Sequence, residues 1–212
     1  MAPHFMLEAL NVDFQLMMVD RKNNEHKSAR YLALNPLGRI PTLVDGNVNF
    51  KLSGDGLVIF ESSAICIHLA EMHPKANLIP KIGDSNRSLF FQWMMYLTNT
   101  LQAELMIYCY PQKYTTSVNA LENIIETQES KITAMLEWLN KELEHKQYLV
   151  GNMISACDYF LFMLAVWADE LTHPPLSFKY LGQYLCRLAK RDELIRACKT
   201  ESFSLNDYQG LT

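Results

Sequence analysis

The stretch from Asn35 to Ala64 constrains the fold more than any other part of the chain. It opens with the turn sequence Asn-Pro-Leu-Gly-Arg-Ile-Pro, after which Thr42–Val44 has the composition of a strand. It closes with Phe60–Ser63, where a strand gives way to an acid and two hydroxyl residues that favour a helix start. Proline is tolerated at the first residue of a strand, because no ladder N–H is needed there. The stretch therefore predicts a turn, two strands and a helix that follows the second strand at once.

The same residues have the chemistry of a binding site. The Ile40-Pro41 bond precedes a strand and follows a glycine turn, which makes it a candidate for the cis isomer. A cis bond would turn the backbone N–H and C=O of Ile40 outward, where an extended ligand could pair with them. Glu61 and Ser62 offer a carboxylate, a hydroxyl and the free N–H groups of a helix start, which together suit an α-amino-acid zwitterion. Each feature taken singly is also an ordinary turn or helix cap.

In this order and spacing, the features resemble the glutathione-binding half of the cytosolic glutathione transferases. The resemblance implies that the loop at Pro41 pairs with the cysteine of glutathione, while Glu61 and Ser62 hold its γ-glutamyl end. It also makes Arg39, next to that loop, a candidate ligand for the glycine carboxylate of glutathione. The implied partners are thus glutathione, as co-substrate, and a small electrophile.

The first residues resemble one branch of that family. Ala2-Pro3-His4, an apolar helix and the segment Asn11–Phe14 are similar to the first helix of bacterial beta-class-like transferases. In that branch a strand and a catalytic Cys or Ser stand immediately before this point, whereas here only Met1 does. We therefore expect a natural product with an upstream strand that ends in Cys or Ser just before Ala2.

Hydrophobic patterning predicts two domains of different class. The expected elements of the first are a helix at 2–10, a strand at 11–19, a short helix near 31–34, strands at 42–44 and 57–60, and a helix at 62–73. This is the order of an α/β thioredoxin-like domain with its first strand missing, over residues 1–80. Residues 47–56 form an insertion that is expected to extend the hairpin between the two later strands.

Residues 81–212 are predicted to form an all-α, helical C-terminal domain. Apolar residues at helical spacing indicate long helices at 86–109 and 117–145, and further helices near 159–168 and 180–188. Ser155 and Asp158 form a predicted capping box that leads into a buried helix, which is also a recurrent transferase feature. The residues from about 204 onward are expected to be a polar tail.

Composition excludes several other functions. The net charge of −4, with acids and bases mixed along the chain, gives no basic face for nucleic acid. No apolar run is long enough for a membrane span, and the first residues lack the core of a signal peptide. The five cysteines are scattered without metal-ligand spacing, which indicates reduced thiols in a cytoplasmic protein with no metal site.

The residue that would activate glutathione does not match the family pattern in this chain. Glutathione must react as a thiolate, and the family stabilises it with a hydroxyl or thiol at the start of the first helix, where this chain has no Tyr, Ser or Cys. His4 is a candidate, with a helix-surface histidine as the alternative. Gln102 stands where beta-class relatives have a His; it can donate a hydrogen bond but cannot act as a base near neutral pH. Tyr108 and Tyr110 are candidates for the electrophile pocket, or else core or dimer-contact aromatics.

The function that these features favour is conjugation or thiol exchange of glutathione with a small electrophile, as in detoxification. The helix at 86–109 carries more large apolar residues than one core face can hide, which predicts a homodimer. Two alternatives stay open: a non-catalytic transferase-like interaction module, and a glutathione-dependent isomerase. The intact binding motif favours the transferase, and the missing activating residue favours the non-catalytic module.

Overall fold

A computed structural model of the chain describes residues 1–46 and 56–210. The insertion at 47–56 therefore lies outside the described residues, except for Gly56. The strands are β1 (Thr42–Asp45) and β2 (Leu57–Phe60). The helices are α1 (Ala2–Leu10), α2 (Ala29–Leu34), α3 (Ser62–Met72), α4 (Asn86–Tyr96), α5 (Gln102–Cys109), α6 (Leu121–Glu142), α7 (Ala156–Trp167), α8 (Lys179–Leu188), α9 (Asp192–Thr200) and α10 (Asn206–Gln209).

The N-terminal part is a small thioredoxin-like α/β domain. Strands β1 and β2 pair antiparallel, with Thr42 opposite Phe60 and Asp45 opposite Leu57. Helix α3 begins two residues after β2 and packs on both strands. Within the described ranges, the sheet has these two strands and no others.

The strand expected at residues 11–19 is wrong. Residues 12–20 have no regular secondary structure, and no backbone ladder is formed by this segment within the described chain. Its alternating apolar side chains are exposed instead: Phe14 by 37%, Leu16 by 38%, Met17 by 63% and Met18 by 69%. A strand is stabilised by hydrogen bonds to a neighbouring strand, and neither β1 nor β2 pairs with this segment in the described chain, so the alternation alone does not form a strand.

The helical C-terminal domain, which the sequence predicted, surrounds a core built on α7. Ten consecutive residues of this helix, Ala156–Ala165, are buried. Helix α1 packs against α3 of its own domain and against α7 and α9 of the helical one, so it belongs to one continuous core that both domains share. Of the helices in the described ranges, none combines the length and apolarity that a membrane crossing needs.

The helix predicted at 86–109 is present, but a π-helical segment at Leu97–Leu101 interrupts it between α4 and α5. Just inside this segment, the Thr98 hydroxyl donates to the carbonyl oxygen of Met94 at 2.9 Å. A π turn inserts an extra residue into the helix. The residues that follow it are therefore rotated about the helix axis, compared with their positions in a continuous α-helix. The side chains of α5 therefore face directions that simple helical periodicity does not give.

The capping box before α7 is confirmed, and its acid is the centre of a buried network. The Asp158 carboxylate accepts hydrogen bonds from the Leu149 N–H, the Ser155 N–H and hydroxyl, and the Tyr184 hydroxyl, at 2.6–2.9 Å. Burial raises the pKa of Asp158, although these four hydrogen bonds act in the opposite direction. The network ties the start of α7 to α8 and to the loop after α6.

The polar tail expected from about residue 204 is also wrong. Leu205 and Tyr208 are buried, and Tyr208 lies on α10 with its hydroxyl donating to Asp169 at 2.5 Å. The Tyr208 ring packs against Phe162 of α7, with the centroids 5.3 Å apart. Two apolar residues among polar ones are too few for a periodicity signal, yet they are enough to close one end of the helical core.

Candidate functional site

The register of the hairpin brings the two halves of the predicted site together. Because Thr42 pairs with Phe60, the next residues outward are Pro41 on one strand and Glu61 on the other. Residues directly opposite each other in an antiparallel pair have Cα atoms about 5 Å apart. The proline loop and the start of α3 therefore meet at one end of the sheet.

The Ile40-Pro41 peptide bond is cis, as the sequence suggested. Ile40 is 44% exposed, and among the described residues neither its N–H nor its C=O takes part in a backbone hydrogen bond. Both groups can therefore pair with an extended chain that is laid along this edge.

A buried asparagine shapes the loop that carries the cis bond. Asn35 is 1% exposed, and its Oδ1 accepts from the Leu37 N–H at 3.1 Å while its backbone C=O accepts from the Gly38 N–H at 2.8 Å. Its Nδ2 donates to the Arg39 C=O at 2.8 Å, and the Tyr31 hydroxyl donates to the same oxygen at 2.7 Å. The sequence marked Asn35 as a turn residue only; its role in holding the loop was missed.

Gly38 allows this turn to pack against the loop of residues 20–27. Its φ is 57°, in the left-handed region, and a Cβ there would lie 2.8 Å from the His26 carbonyl oxygen. Beside it, Lys27 Nζ donates to the Leu37 C=O at 3.2 Å. The turn before the cis bond is therefore in direct contact with the loop at 20–27.

Glu61 has a strained backbone next to a helix start. Its φ of 71° is unusual for a residue with a side chain and costs on the order of 1–3 kcal/mol. Its carboxylate is exposed and has no hydrogen-bond or ion-pair partner in the part of the chain that the structure describes. The first N–H groups of α3, at Ser62 and Ser63, point out of the helix end and favour negative charge. A free carboxylate and an anion-binding helix end thus lie side by side.

Arg39 lies between the turn and the cis bond, and its guanidinium is exposed. Its carbonyl oxygen is fixed by Tyr31 and Asn35, so the backbone that carries the side chain is well positioned. No ion pair of Arg39 occurs among residues 1–46 and 56–210. The cation is therefore available to a carboxylate beside the cis-proline loop.

His4 is not a helix-surface residue, since only 4% of its side chain is exposed. Its Nδ1 lies 2.9 Å from Glu201 Oε1, and the Met1 ammonium lies 3.3 Å from the same oxygen. Burial raises the pKa of Glu201, but the His4 hydrogen bond and the Met1 charge outweigh it, so the net pKa is lowered. The edge of the Phe14 ring packs on the imidazole. These contacts describe a histidine that ties α1 to the C-terminal helices.

Gln102 is the first residue of α5 and follows the π segment directly. Its side chain is half-buried and makes no hydrogen bond to any residue that the structure describes. The amide is therefore free to donate a hydrogen bond. The π turn before α5 changes the direction of this side chain from the one that a continuous α-helix would give.

The two candidate pocket tyrosines face different surroundings. Tyr108 lies in the last turn of α5, whereas Tyr110 follows the end of the helix with a non-helical backbone (φ −134°, ψ 53°). Burial, then Glu129, Cys109 and Glu170, raise the pKa of Tyr108, which packs on the helical core. The Tyr110 hydroxyl instead accepts a hydrogen bond from Arg21 Nη2 of the N-terminal domain at 3.3 Å. Of the pair, Tyr110 borders the junction between domains.

The cysteines divide into buried and exposed thiols. Cys66, Cys157, Cys186 and Cys198 are buried and reduced, and Cys109 is reduced and exposed. Burial raises the pKa of the Cys66 thiol to about 12, as expected of a packing residue. Residues 1–46 and 56–210 contain no group of three or more His, Cys, Asp or Glu side chains that could hold a metal ion.

A thioredoxin-like domain with a cis-proline loop beside a Glu-Ser helix start, joined to an all-helical domain, has the architecture of the glutathione transferase fold class. Residues 1–71 match the model of the glutathione S-transferase N-terminal domain, and residues 97–192 match that of its C-terminal domain. The chain therefore belongs to the glutathione S-transferase family.

Individual relatives agree with this assignment. The chain is 24% identical over 205 residues to the glutathione S-transferase GstA of Escherichia coli O157:H7, covering 95% of this chain and 93% of the relative. A solved glutathione transferase homologue from Sulfitobacter with bound glutathione superimposes with a TM-score of 0.81 at 21% identity, covering 96% of this chain and 93% of that one. The beta-class enzyme of Sphingomonas chungbukensis gives a TM-score of 0.80 at 24% identity, covering 96% and 94%. These structural likenesses show the shared fold.

Proposed function

We propose that the chain binds glutathione at the end of the hairpin where the cis Ile40-Pro41 bond meets Glu61 and Ser62. The observation that carries the proposal is the Thr42–Phe60 pairing, which sets an unpaired backbone edge beside an unpaired carboxylate. The Sulfitobacter homologue, which has the same fold, was solved with glutathione bound.

Each group of the tripeptide has a chemical counterpart in this site. Glu61 would accept from the γ-glutamyl ammonium, and the Ser62 hydroxyl with the α3 N–H groups would donate to the neighbouring carboxylate. The Ile40 N–H and C=O would pair with the cysteinyl backbone, as one strand pairs with another. Arg39 would bind the glycine carboxylate.

The proposed reaction is conjugation or thiol exchange of glutathione with a small electrophile. It requires stabilisation of the thiolate, and each unit of pKa lowering takes about 1.4 kcal/mol of differential stabilisation. Gln102 is the better of the two donor candidates, because its amide has no partner among the described residues, whereas His4 is engaged by Glu201. Tyr110 would line the electrophile pocket.

Two measurements test the proposal. Calorimetry should detect glutathione binding to the wild-type chain and weaker binding to Ser62→Ala, and a coupled assay with a generic aromatic electrophile should detect turnover. The absence of binding would contradict the proposed function. Binding without turnover would instead favour the non-catalytic module, whose supporting observation is that Met1, Ala2 and Pro3 at the start of α1 carry no hydroxyl or thiol.

We also propose that the protein is a homodimer and that it is located in the cytoplasm. Large apolar side chains remain exposed on α4 and α6: Leu89 by 46%, Met95 by 42% and Trp138 by 40%. A shallow apolar depression of about 430 Å³ beside Trp138 is lined by Tyr96, Thr100, Lys131, Ala134, Met135 and Trp138. A second copy would cover these side chains. The five free thiols support a reducing compartment.

A further inference from the structure

Two cations meet at Tyr110, at the junction of the domains. Arg21 Nη2 donates to the Tyr110 hydroxyl at 3.3 Å, and Lys113 Nζ lies 4.2 Å from the centroid of the same ring. Both charged side chains are exposed. Across the described ranges, neither of them forms an ion pair with an Asp or Glu. Two positively charged side chains thus contact the same tyrosine, and no carboxylate among the described residues forms an ion pair with either of them.

The acidic residues closest to Arg21 in sequence, Asp20 and Glu25, accept hydrogen bonds within their own loop. The Asp20 carboxylate accepts from the Asn23 N–H at 3.1 Å and from Asn23 Nδ2 at 2.6 Å. The Glu25 carboxylate accepts from the Asp20 N–H at 2.7 Å. The hydrogen bonds from Asn23 lower the pKa of Asp20. Neither Asp20 nor Glu25 forms an ion pair with Arg21 within the described ranges.

The positive charges at the end of α5 lie beside Tyr110 and not beside Tyr108. Tyr108, on the other side, has Glu129 and Glu170 as electrostatic neighbours, and Glu170 also raises the pKa of Cys109. The end of α5 is therefore negative where it faces the helical domain and positive where it faces the N-terminal domain.

The loop that carries Arg21 also reaches the proposed glutathione site. At its far end Lys27 donates to the Leu37 C=O, in the turn that precedes the cis Ile40-Pro41 bond. One short, hydrogen-bonded loop thus touches the cis-proline turn at one end and Tyr110 at the other. Arg21 and Lys27 are six residues apart, so their Cα atoms are separated by no more than about 20 Å.

We propose that Arg21, Lys113 and Tyr110 form a subsite for an anionic group on the electrophile, so that the preferred electrophiles are acidic aromatic compounds. This inference rests on the proposed function and names its substrate class. A guanidinium donates two parallel hydrogen bonds to a carboxylate, an ammonium adds a point charge, and the tyrosine ring stacks on an aromatic body. In the reaction with an aryl chloride, the glutathione thiol releases its proton to solvent, the thiolate sulfur forms the C–S bond, and chloride leaves with the electron pair of the C–Cl bond.

The test compares two unreactive ligands of nearly equal shape, 4-nitrobenzoate and 4-nitrobenzamide, in equilibrium dialysis without glutathione. Wild type should prefer the benzoate. The double variant Arg21→Gln/Lys113→Gln should bind the benzoate on the order of tenfold more weakly or worse, and the benzamide within about twofold of wild type. Lys22→Gln, which removes an exposed cation from the same loop, is the matched control and should leave both affinities unchanged.

A reactive pair extends the test to turnover. With glutathione present, the double variant should lose kcat/KM for 4-chloro-3-nitrobenzoate and keep it for 4-chloro-3-nitrobenzamide. Equal loss for both ligands, or equal loss in Lys22→Gln, would overturn the inference. Weaker glutathione binding by the double variant in calorimetry would also overturn it, because the cations would then bind glutathione itself. A benzoate preference without glutathione binding would leave the subsite standing and contradict the proposed function alone.

Discussion

Asn35 Nδ2 donates a hydrogen bond of 2.8 Å to the carbonyl oxygen of Arg39, one residue before the cis Ile40-Pro41 bond. A fully buried amide thereby sets the position of the backbone that is proposed to pair with glutathione. The same side chain accepts from the Leu37 N–H, so it acts as donor and acceptor within one loop. The loop geometry thus depends on a residue that would not itself touch the ligand.

Replacing Asn35 should weaken both folding and glutathione binding. Asn35→Ala removes both hydrogen bonds from a buried position and should lower the free energy of unfolding by about 1–3 kcal/mol in urea denaturation. Asn35→Asp keeps the acceptor for Leu37 and loses the donor to Arg39. If the donor positions the loop, both variants should bind glutathione more weakly in calorimetry; wild-type affinity in the Asp variant would contradict this role.

Glu61→Ala should weaken glutathione binding by about 1.5–3 kcal/mol, the range of a charge-assisted hydrogen bond. The change leaves a non-glycine residue at the same positive φ, so the backbone strain should be the same in both proteins. Calorimetric titration of the two proteins measures the difference. Glu126→Ala removes an exposed acid from α6 and is the control; a similar loss there, or equal affinity for Glu61→Ala and wild type, would remove Glu61 from the site.

Asp169 should make the fold less stable as the pH rises from about 4 to about 6. Burial, and then the neighbouring Asp207, raise the pKa of this carboxyl from 3.8 to about 6, although the Tyr208 hydrogen bond opposes them. The folded state therefore holds the proton more tightly than the unfolded state, so this contribution is present at low pH and is lost as the pH rises through the folded pKa. After solvent screening the loss should be on the order of 1 kcal/mol.

Asp169→Asn isolates this effect, because the amide cannot titrate and its oxygen still accepts from Tyr208. The stability of the variant minus that of wild type, from urea unfolding at several pH values, should increase between pH about 4 and 7. Asp207→Asn should reduce the wild-type slope without abolishing it. A constant difference across this range would show that Asp169 titrates normally.

Leu89→Glu should convert the proposed homodimer into monomers, because it places a charge within the exposed apolar face that Leu89 and Trp138 share. Sedimentation at micromolar concentration should give twice the mass of the 24.5 kDa chain for wild type and the single mass for the variant. Val118, which is 79% exposed away from this face, is the site of the control Val118→Glu. A wild-type protein that sediments as a monomer would contradict the dimer.

Local sequence signals were sufficient where the structure depends on neighbouring residues. The turn chemistry at Asn35–Pro41, the helix start at Ser62 and the capping box at Ser155–Asp158 each act over a few positions, and all three are present. The position of Pro41 and Glu61 at the same end of the sheet, one residue beyond the Thr42–Phe60 pair, also followed from the hairpin.

Features that depend on distant residues could not be read from the sequence. His4 looked like a surface residue because its partner, Glu201, is at the other end of the chain. Arg21 was part of an ordinary charged loop, and only its approach to Tyr110 distinguishes it from its neighbours. The segment at 12–20 has the alternation of a strand, but alternation cannot show whether another strand is available to pair with it.

The exposed segment 12–20 has a practical consequence for the handling of this protein. Its backbone N–H groups lack strand partners in the described chain, so its amides should exchange with solvent much faster than those of α7. Its side chains are apolar except at Asp13, Gln15 and Asp20. An extended apolar edge of this kind also offers a template for other chains. Refolding yield should therefore fall with increasing protein concentration, and polar substitutions at Met17 and Met18 should restore it.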